Sequence, residues 1–187
     1  MGTPQKPEPV KLFVGMISAR TELLDEAGRM LAEEFGPMDG RSADIPFDFT
    51  DYYAPAMGVG LMRRLVSFAN LMDPGRLAEV KLATNRIEQT IARARATEVE
   101  RPVNLDSGYL SPAKVVLATV KDYSHRIYLG QGIYAEVTLR HHKGRYEPWE
   151  WTFPDYRTEA YREFFAATRK RLMDQKRKED DSADDLA

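Results

Sequence analysis

The chain has 187 residues, 43% of them hydrophobic, which is enough for one domain with a sizeable core. Its formal net charge of −2 argues against bulk electrostatic binding of nucleic acid, although a local basic patch stays open. The absence of cysteine excludes disulfides, cysteine nucleophiles and thiolate metal sites. The N-terminus lacks the apolar core of a signal peptide, and no run approaches the roughly 20 apolar residues of a membrane span. We therefore expect a cytoplasmic protein with no membrane partner.

The first half of the chain predicts four strands and two helices. Apolar runs of strand length and period-two alternation predict the strands, and apolar residues at helical spacing predict the helices. Thr21 fits an N-cap, and Asp73-Pro74 combines an N-cap with proline at the first helical position. The predicted strands are 10–18, 45–50 and 61–72, the segment 103–110 is predicted to be a short strand followed by a turn, and the predicted helices are 22–35 and 73–95. The run 61–72 also fits a short helix, but the helix start at Asp73-Pro74 favours a strand. The order β-α-β-β-α-β is typical of a ferredoxin-like split βαβ fold.

The second half predicts an antiparallel extension of that sheet and a last helix. Ser111-Pro112 has the sequence of an N-cap followed by proline, so we predict that a short helix begins there. A hairpin, a further strand over 145–151 and an amphipathic C-terminal helix follow. We therefore predict one α+β domain over 10–174, ferredoxin-like in its first half, with disordered tails at 1–9 and 175–187.

The hairpin has one apolar face and one face with charges and ring hydroxyls. Both arms alternate with period two, and the loop Gly130-Gln131-Gly132 supplies the glycines that such a turn needs. The expected cross-strand neighbours are Leu129 with Ile133, Tyr128 with Tyr134, Ile127 with Ala135, and Arg126 with Glu136. Opposite charges that face each other favour this register. We expect the Ile, Leu, Ala and Val residues of both arms to lie in the core.

The carboxylates Asp48 and Asp51 form the first candidate site. They lie three residues apart where a predicted strand ends. Such a pair would hold a divalent cation such as Mg²⁺ or activate a water molecule. The alternative is that both are loop residues whose side chains bond to nearby backbone N–H groups. Loops at strand ends often carry functional side chains, so the pair is a candidate.

The segment 104–110 and Lys114 form the second candidate site. A glycine-containing turn before a helix start would place backbone N–H groups around an anion, with Lys114 in the first turn. Asp106 and Tyr109 lie in the same segment. The alternative is an ordinary turn that precedes a helix.

The hairpin carries the third candidate site. Lys121 and Arg126 would bind a phosphate or carboxylate group. His125 has the chemistry of a proton shuttle, but it shares its predicted face with apolar residues, so a hydrogen-bonded core histidine is the alternative. Arg126 and Glu136 would equally form a purely structural pair.

Several enzyme classes are excluded by their motifs. The chain has no Walker P-loop sequence and no glycine-rich dinucleotide-binding sequence after the first strand. It also has no G-x-S-x-G nucleophile elbow and no H-E-x-x-H zinc motif.

Six stretches of the chain resemble a bacterial domain-of-unknown-function family, number 4416 (DUF4416). They are 11–16, 46–53, 104–110, 121–129, 132–139 and 154–157. The resemblance covers nearly the whole chain apart from the two tails, and its motifs are long and specific. It implies family membership and no established activity.

The leading hypothesis is an enzyme or ligand-binding protein that acts on a phosphate-bearing small molecule, such as a nucleotide or other phosphoester. Anion-binding roles are expected for Lys114, Lys121 and Arg126, with Tyr109 and Glu136 beside them. Metal-binding roles, with Mg²⁺ as the metal, are expected for Asp48, Asp51 and Asp106. Catalytic roles are expected for Asp51, Asp106 and His125.

Two rival hypotheses involve no catalysis. In the first, a sheet face with Tyr128, Tyr134 and Arg126 binds RNA or a partner protein, by analogy with other ferredoxin-like sheets. In the second, the chain is a structural protein that forms a stable homodimer.

Overall fold

The computed structural model describes residues 2–95 and 99–184 and contains one large sheet with helices on both faces. The strands are β1 (Val10–Ser18), β2 (Met38–Arg41), β3 (Ile45–Pro46), β4 (Met62–Met72), β5 (Asn104–Leu110), β6 (Lys114–Thr119), β7 (Ile127–Gly130), β8 (Ile133–His142) and β9 (Arg145–Pro148). The α-helices are α1 (Thr21–Phe35), α2 (Ala54–Met57), α3 (Leu77–Ala94) and α4 (Glu159–Asp184). Short 3₁₀ turns are formed by Asp51–Tyr53, Pro74–Arg76 and Asp155–Arg157.

The sheet is antiparallel throughout, and its strand order is β2-β4-β1-β5-β6-β8-β7. The strand β3 pairs with β4, and β9 pairs with β8. One strand lies between β1 and β2, and one lies between β4 and β5, so both helical crossovers skip a strand. This order agrees with a split βαβ arrangement. The predicted α+β class is confirmed, while the ferredoxin-like designation stays a prediction.

Alternating side chains of β1 enter two different cores. All nine residues of this strand are buried, because helices cover both of its faces. Leu12, Val14 and Met16 pack with residues of α1 and α3. On the opposite face Phe13 packs against Phe165 of α4, with their ring centroids 4.9 Å apart. The central strand therefore fixes which helices lie on each face of the sheet.

The segment from 103 to 119 differs from its prediction. Asn104–Leu110 is a continuous strand without a turn, and the helix predicted at Ser111-Pro112 is instead the strand Lys114–Thr119. The N–H of Ser111 donates to the carbonyl of Lys114 at 2.9 Å, which closes a tight hairpin between β5 and β6. Four consecutive residues of β6 are buried, so sheet pairing and two-sided burial override the local helix-start signal.

Smaller differences concern element boundaries. The strand expected over 45–50 is limited to Ile45–Pro46, and the strand expected over 145–151 ends at Pro148. Helix α1 begins at Thr21 itself, after Arg20 at the N-cap position. Helix α4 continues past Gln175, where the sequence predicts a disordered tail, and the Gln175 side chain donates to the carbonyl of Ala69 at 2.7 Å.

The hairpin register is confirmed in its middle and wrong at its turn. Tyr128 pairs with Tyr134 as expected, but Gly130 pairs with Ile133, which leaves Leu129 in a bulge. Ile127 is 71% exposed and Leu129 is 42% exposed, so their predicted core positions are wrong. The physical reason is that β7 is the edge strand of the sheet. Ile133 lies in the core as predicted.

The strands β5 and β6 pair over only part of their length. Their last common pair is Gly108 with Leu117. Beyond it β5 continues along β1 as far as Asn104, and β6 continues along β8 as far as Thr119. The two strands therefore separate, and a gap opens in the middle of the sheet.

Gly108 lies where the two strands approach most closely. A Cβ atom at this position would overlap the carbonyl oxygen of Val116 and lie 2.7 Å from Cζ of Phe13. We expect Gly108→Ala to lower the free energy of unfolding by about 1–3 kcal/mol, the usual cost of overpacking. Urea denaturation provides the measurement.

Gly28→Ala is the matched control for this substitution. Gly28 lies inside α1, and an added Cβ would meet only Cε of Met38 at 3.6 Å, an ordinary contact. We expect a gain of about 1 kcal/mol, because alanine is the better helix former. Equal effects of the two substitutions would contradict the close approach of β5 and β6.

Candidate functional site

A cavity of about 570 Å³ lies at the gap between β5 and β6. Its walls come from β4, β5, β6, β8 and α3, and from the segments 47–53 and 153–156. This volume is within the range of small-molecule sites in proteins. The cavity therefore collects side chains from distant parts of the chain.

Arg63 of β4 is a deeply buried charge in the cavity wall. Its side chain is only 2% exposed, and its Nη1 donates to Oδ2 of Asp106 at 2.7 Å. Nη2 donates to the hydroxyl of Tyr156 at 3.4 Å and lies 3.7 Å from Oδ2 of Asp155. Nε has no hydrogen-bond partner among the described residues. Gly15 makes this position possible, because a Cβ there would lie 2.8 Å from Nη2.

The charge of Arg63 is stabilised by its surroundings. Burial by itself lowers the pKa of a guanidinium, because it disfavours the charged form. The Tyr161 hydroxyl, the Asp106 carboxylate, the Tyr156 hydroxyl and the Asp155 carboxyl all act in the opposite direction, and the pKa of Arg63 lies well above its usual value. Arg63 is therefore a fixed buried cation.

Asp106 is the carboxylate partner of Arg63. It also accepts a hydrogen bond from Nδ2 of Asn104 at 2.9 Å, and 27% of its side-chain surface is exposed. Burial tends to raise its pKa, but Arg63, Lys81 and the bond from Asn104 lower it below the usual value. Asp106 is therefore ionised at neutral pH.

Two side chains of α3 replace the missing strand partner of Leu105. Nζ of Lys81 donates to the carbonyl of Leu105 at 2.7 Å, and Oε1 of Glu88 accepts from its N–H at 2.6 Å. Glu88 also pairs with Arg101 at 3.0 Å, and Arg101 donates to Oδ1 of Asn104. These contacts satisfy both backbone groups of Leu105 at the gap. They also bring Lys81 and Arg101 into the cavity wall.

Glu136 of β8 is a buried carboxylate. Its side chain is 1% exposed, and its Oε2 accepts from Nε of Arg126 at 2.8 Å and contacts Nε2 of His125 at 3.0 Å. The His125 ring stacks on Trp151, with centroids 5.2 Å apart and planes 15° apart. Nη1 of Arg126 donates to the carbonyl of Lys121 at 3.0 Å. The orientation of Glu136 is therefore fixed from two sides.

Lys121 and Tyr52 connect two loops at the mouth of the cavity. Nζ of Lys121 donates to the Tyr52 hydroxyl at 2.6 Å. This hydrogen bond, together with the positive charge of Lys121, lowers the pKa of Tyr52. Both residues are exposed, so Lys121 is the cation that an incoming ligand can reach most easily.

Cations outnumber carboxylates in the cavity wall. The five cationic residues are Arg63, Lys81, Arg101, Lys121 and Arg126, and the three acidic residues are Asp106, Glu136 and Asp155. Burial raises the pKa of Asp155. An electropositive cavity with low-dielectric walls favours an anionic ligand.

The family model described as Domain of unknown function (DUF4416) matches residues 8–172. The chain belongs to this family. A comparison of this DUF4416 chain with curated proteins found no match. Among its described helices, none has the length and apolar composition needed to cross a membrane.

Four of the residues expected from the sequence of this DUF4416 chain line the cavity together. They are Asp106, Lys121, Arg126 and Glu136. His125 contacts Glu136 but does not line the cavity, and it lies on the Glu136 side of the hairpin rather than on the apolar side.

The other expected residues lie elsewhere. Asp48 and Asp51 are exposed and outside the cavity lining. Lys114 is exposed at the opposite end of β6, and Tyr109 packs in the apolar cluster on the other face of β5. Within residues 2–95 and 99–184, no three His, Asp or Glu side chains are grouped to hold a metal ion. The structure therefore does not bring Asp48 and Asp51 to Asp106 as a set of metal ligands.

Sequence reasoning missed Arg63, Lys81, Arg101 and Asp155. One available signal was the pair Arg63-Arg64 inside an otherwise apolar strand. Both are buried, and such charges require partners. Another signal was Lys81, which falls between Leu77 and Thr84 on the buried stripe of α3.

We expect Asp106→Asn to lower the free energy of unfolding by about 2 kcal/mol at pH 7, because Arg63 then loses its closest anion. The partial exposure of Asp106 makes this loss smaller than for a fully buried pair. Because folding lowers the pKa of Asp106, its contribution is complete above the usual aspartate pKa of about 4. It is lost as the pH falls through the lowered value. Urea denaturation of both proteins at several pH values measures this difference.

Asp48→Asn is the control, since Asp48 is exposed and outside the cavity. We expect a change within about 0.5 kcal/mol for this substitution. If the two variants were equally stable at pH 7, the ion pair would not support the cavity.

Proposed function

We propose that this chain binds a small anionic molecule of the phosphoester class in the cavity between β5 and β6. The observation that carries this proposal is the convergence of five cationic side chains on one cavity. Arg63 is the central one, because it is a buried cation in the cavity wall and Asp106 stabilises its charge. Guanidinium groups suit phosphate recognition, since their planar donors match phosphate oxygens.

Further donors surround the same space. Lys81 uses one of its three N–H donors on the carbonyl of Leu105, which leaves donors for a ligand. Lys121 lies at the mouth and would be the first cation that an anion meets. This arrangement of one exposed, two half-buried and two buried cations supports entry of the anionic group toward Arg63.

The cavity also contains a group that suits proton transfer. Glu136 lines the cavity and is oriented by Arg126 and His125. In an enzymatic reaction, Glu136 would accept a proton from a bound ligand or water. His125 would act through Glu136 as a positioning residue, rather than as the proton shuttle that the sequence suggested.

The geometry gives the interaction-module hypothesis less support. The residues expected on one open face are divided, because Arg126 lines the cavity while Tyr128 and Tyr134 contact each other at 5.1 Å. Helices α1 and α3 pack on one face of the sheet and α4 on the other. Ligand binding is therefore the better supported function, and the cytoplasmic location stays a prediction from sequence.

We expect phosphoesters to raise the unfolding temperature in a thermal-shift screen of phosphate, sugar phosphates and nucleotides, because ligands stabilise the state they bind. For the tightest ligand, Lys121→Ala should weaken affinity about tenfold by isothermal titration calorimetry, as expected for loss of one charge-assisted hydrogen bond. Added salt should weaken binding to the unmodified protein.

Lys114→Ala is the matched control. It removes an exposed lysine at the first residue of β6, at the end of the strand away from the cavity. Its affinity should equal that of the unmodified protein. A flat response across the screen, or equal losses in both lysine variants, would refute anion binding in this cavity.

A further inference from the structure

The mouth of the cavity is lined by large apolar side chains that are exposed to solvent. Phe49 is 38% exposed, Tyr52 62%, Val120 55% and Phe153 43%, and all four line the cavity. They come from three separate segments of the chain. Exposed apolar groups gathered around one opening are typical of a ligand-binding surface.

Neighbouring aromatic rings hold part of this rim in place. Phe47 is 8% exposed and contacts Phe49 and Tyr53 edge-on, with both centroid distances at 5.8 Å. Tyr53 contacts Tyr52 at 5.1 Å, with the ring planes 86° apart. Edge-on contacts use the margin of one ring, so they orient Phe49 and Tyr52 without stacking on them. These contacts preorganise the part of the rim that Phe49 and Tyr52 form.

The rings differ in whether a cation already contacts them. Nζ of Lys121 donates to the Tyr52 hydroxyl and lies 4.2 Å from the centroid of the Tyr52 ring. Phe49 and Phe153 have no such cation among the described contacts, and both line the cavity. They are the rings best placed to accept a flat group.

The geometry points to a ligand that joins a planar aromatic ring to an anionic phosphate. This inference rests on the proposed anion binding and names the class of ligand. The phosphate would enter toward Arg63 and Lys81, while the ring would remain at the mouth against Phe49 and Phe153. A saturated carrier of the same size would fill the mouth without the favourable ring-on-ring geometry.

Phenyl phosphate and cyclohexyl phosphate provide the direct test, because they share the anion and differ in the planarity of the ring. Isothermal titration calorimetry with the unmodified protein should give about tenfold tighter binding of phenyl phosphate, the advantage expected from two aromatic contacts. Equal affinities would overturn the aromatic inference and leave anion binding intact. If neither ester nor inorganic phosphate bound, both the inference and the proposed function would fail.

Variants then locate the ring. Phe49→Leu and Phe153→Leu keep apolar bulk and remove the aromatic face, so the ratio of the two affinities should fall toward one. Tyr128→Leu is the control, since Tyr128 is also an exposed aromatic residue, at 59%, and lies outside the cavity. It should keep the full ratio. A ratio that falls equally in all three variants, or in none of them, would overturn the placement at the rim.

Discussion

The ion pair between Arg63 and Asp106 is the contact on which the cavity depends. A guanidinium buried in a sheet costs several kcal/mol in desolvation unless a carboxylate compensates it. Gly15 leaves the space for Arg63, and Asp106 supplies the charge from β5 at 2.7 Å. Asp106 accepts a hydrogen bond from Nη1 of Arg63 only. Nη2 makes a long hydrogen bond of 3.4 Å to the Tyr156 hydroxyl, and Nε has no partner among the described residues. The ion pair with Asp106 therefore allows Arg63 to remain a buried cation in the cavity wall.

The gap beside this pair is a supported part of the fold rather than a packing defect. An open strand edge inside a protein normally leaves backbone groups without partners, which is costly. Here Lys81 and Glu88 of one helix bond both backbone groups of Leu105. The same lysine lines the cavity, so the helix that satisfies the open edge of β5 also adds positive charge to the site.

The sequence predicts elements whose patterns are local and misses those decided by the sheet. Periodicity predicts β1, α1, β4 and α3 closely, because each pattern agrees with its burial. The Ser111-Pro112 signal fails because two-sided burial of β6 is a tertiary effect. Asp106 was found in a segment predicted to contain a turn, and Lys121, Arg126 and Glu136 were found on the predicted hairpin. Arg63 and Lys81 were missed because each lies within an apolar sequence pattern. Only the three-dimensional fold shows that both side chains border the gap between β5 and β6.

The direct consequence of this architecture is, we propose, that an anion enters the gap and binds beside Arg63. Tungstate resembles phosphate in shape and charge and scatters X-rays anomalously, so a crystal of the full chain soaked in tungstate would locate the anion directly. We expect an anomalous peak inside the cavity, within hydrogen-bonding distance of Arg63, Lys81 or Lys121. Peaks confined to the outer surface of the protein, with none in the cavity at a concentration that saturates binding, would contradict this expectation.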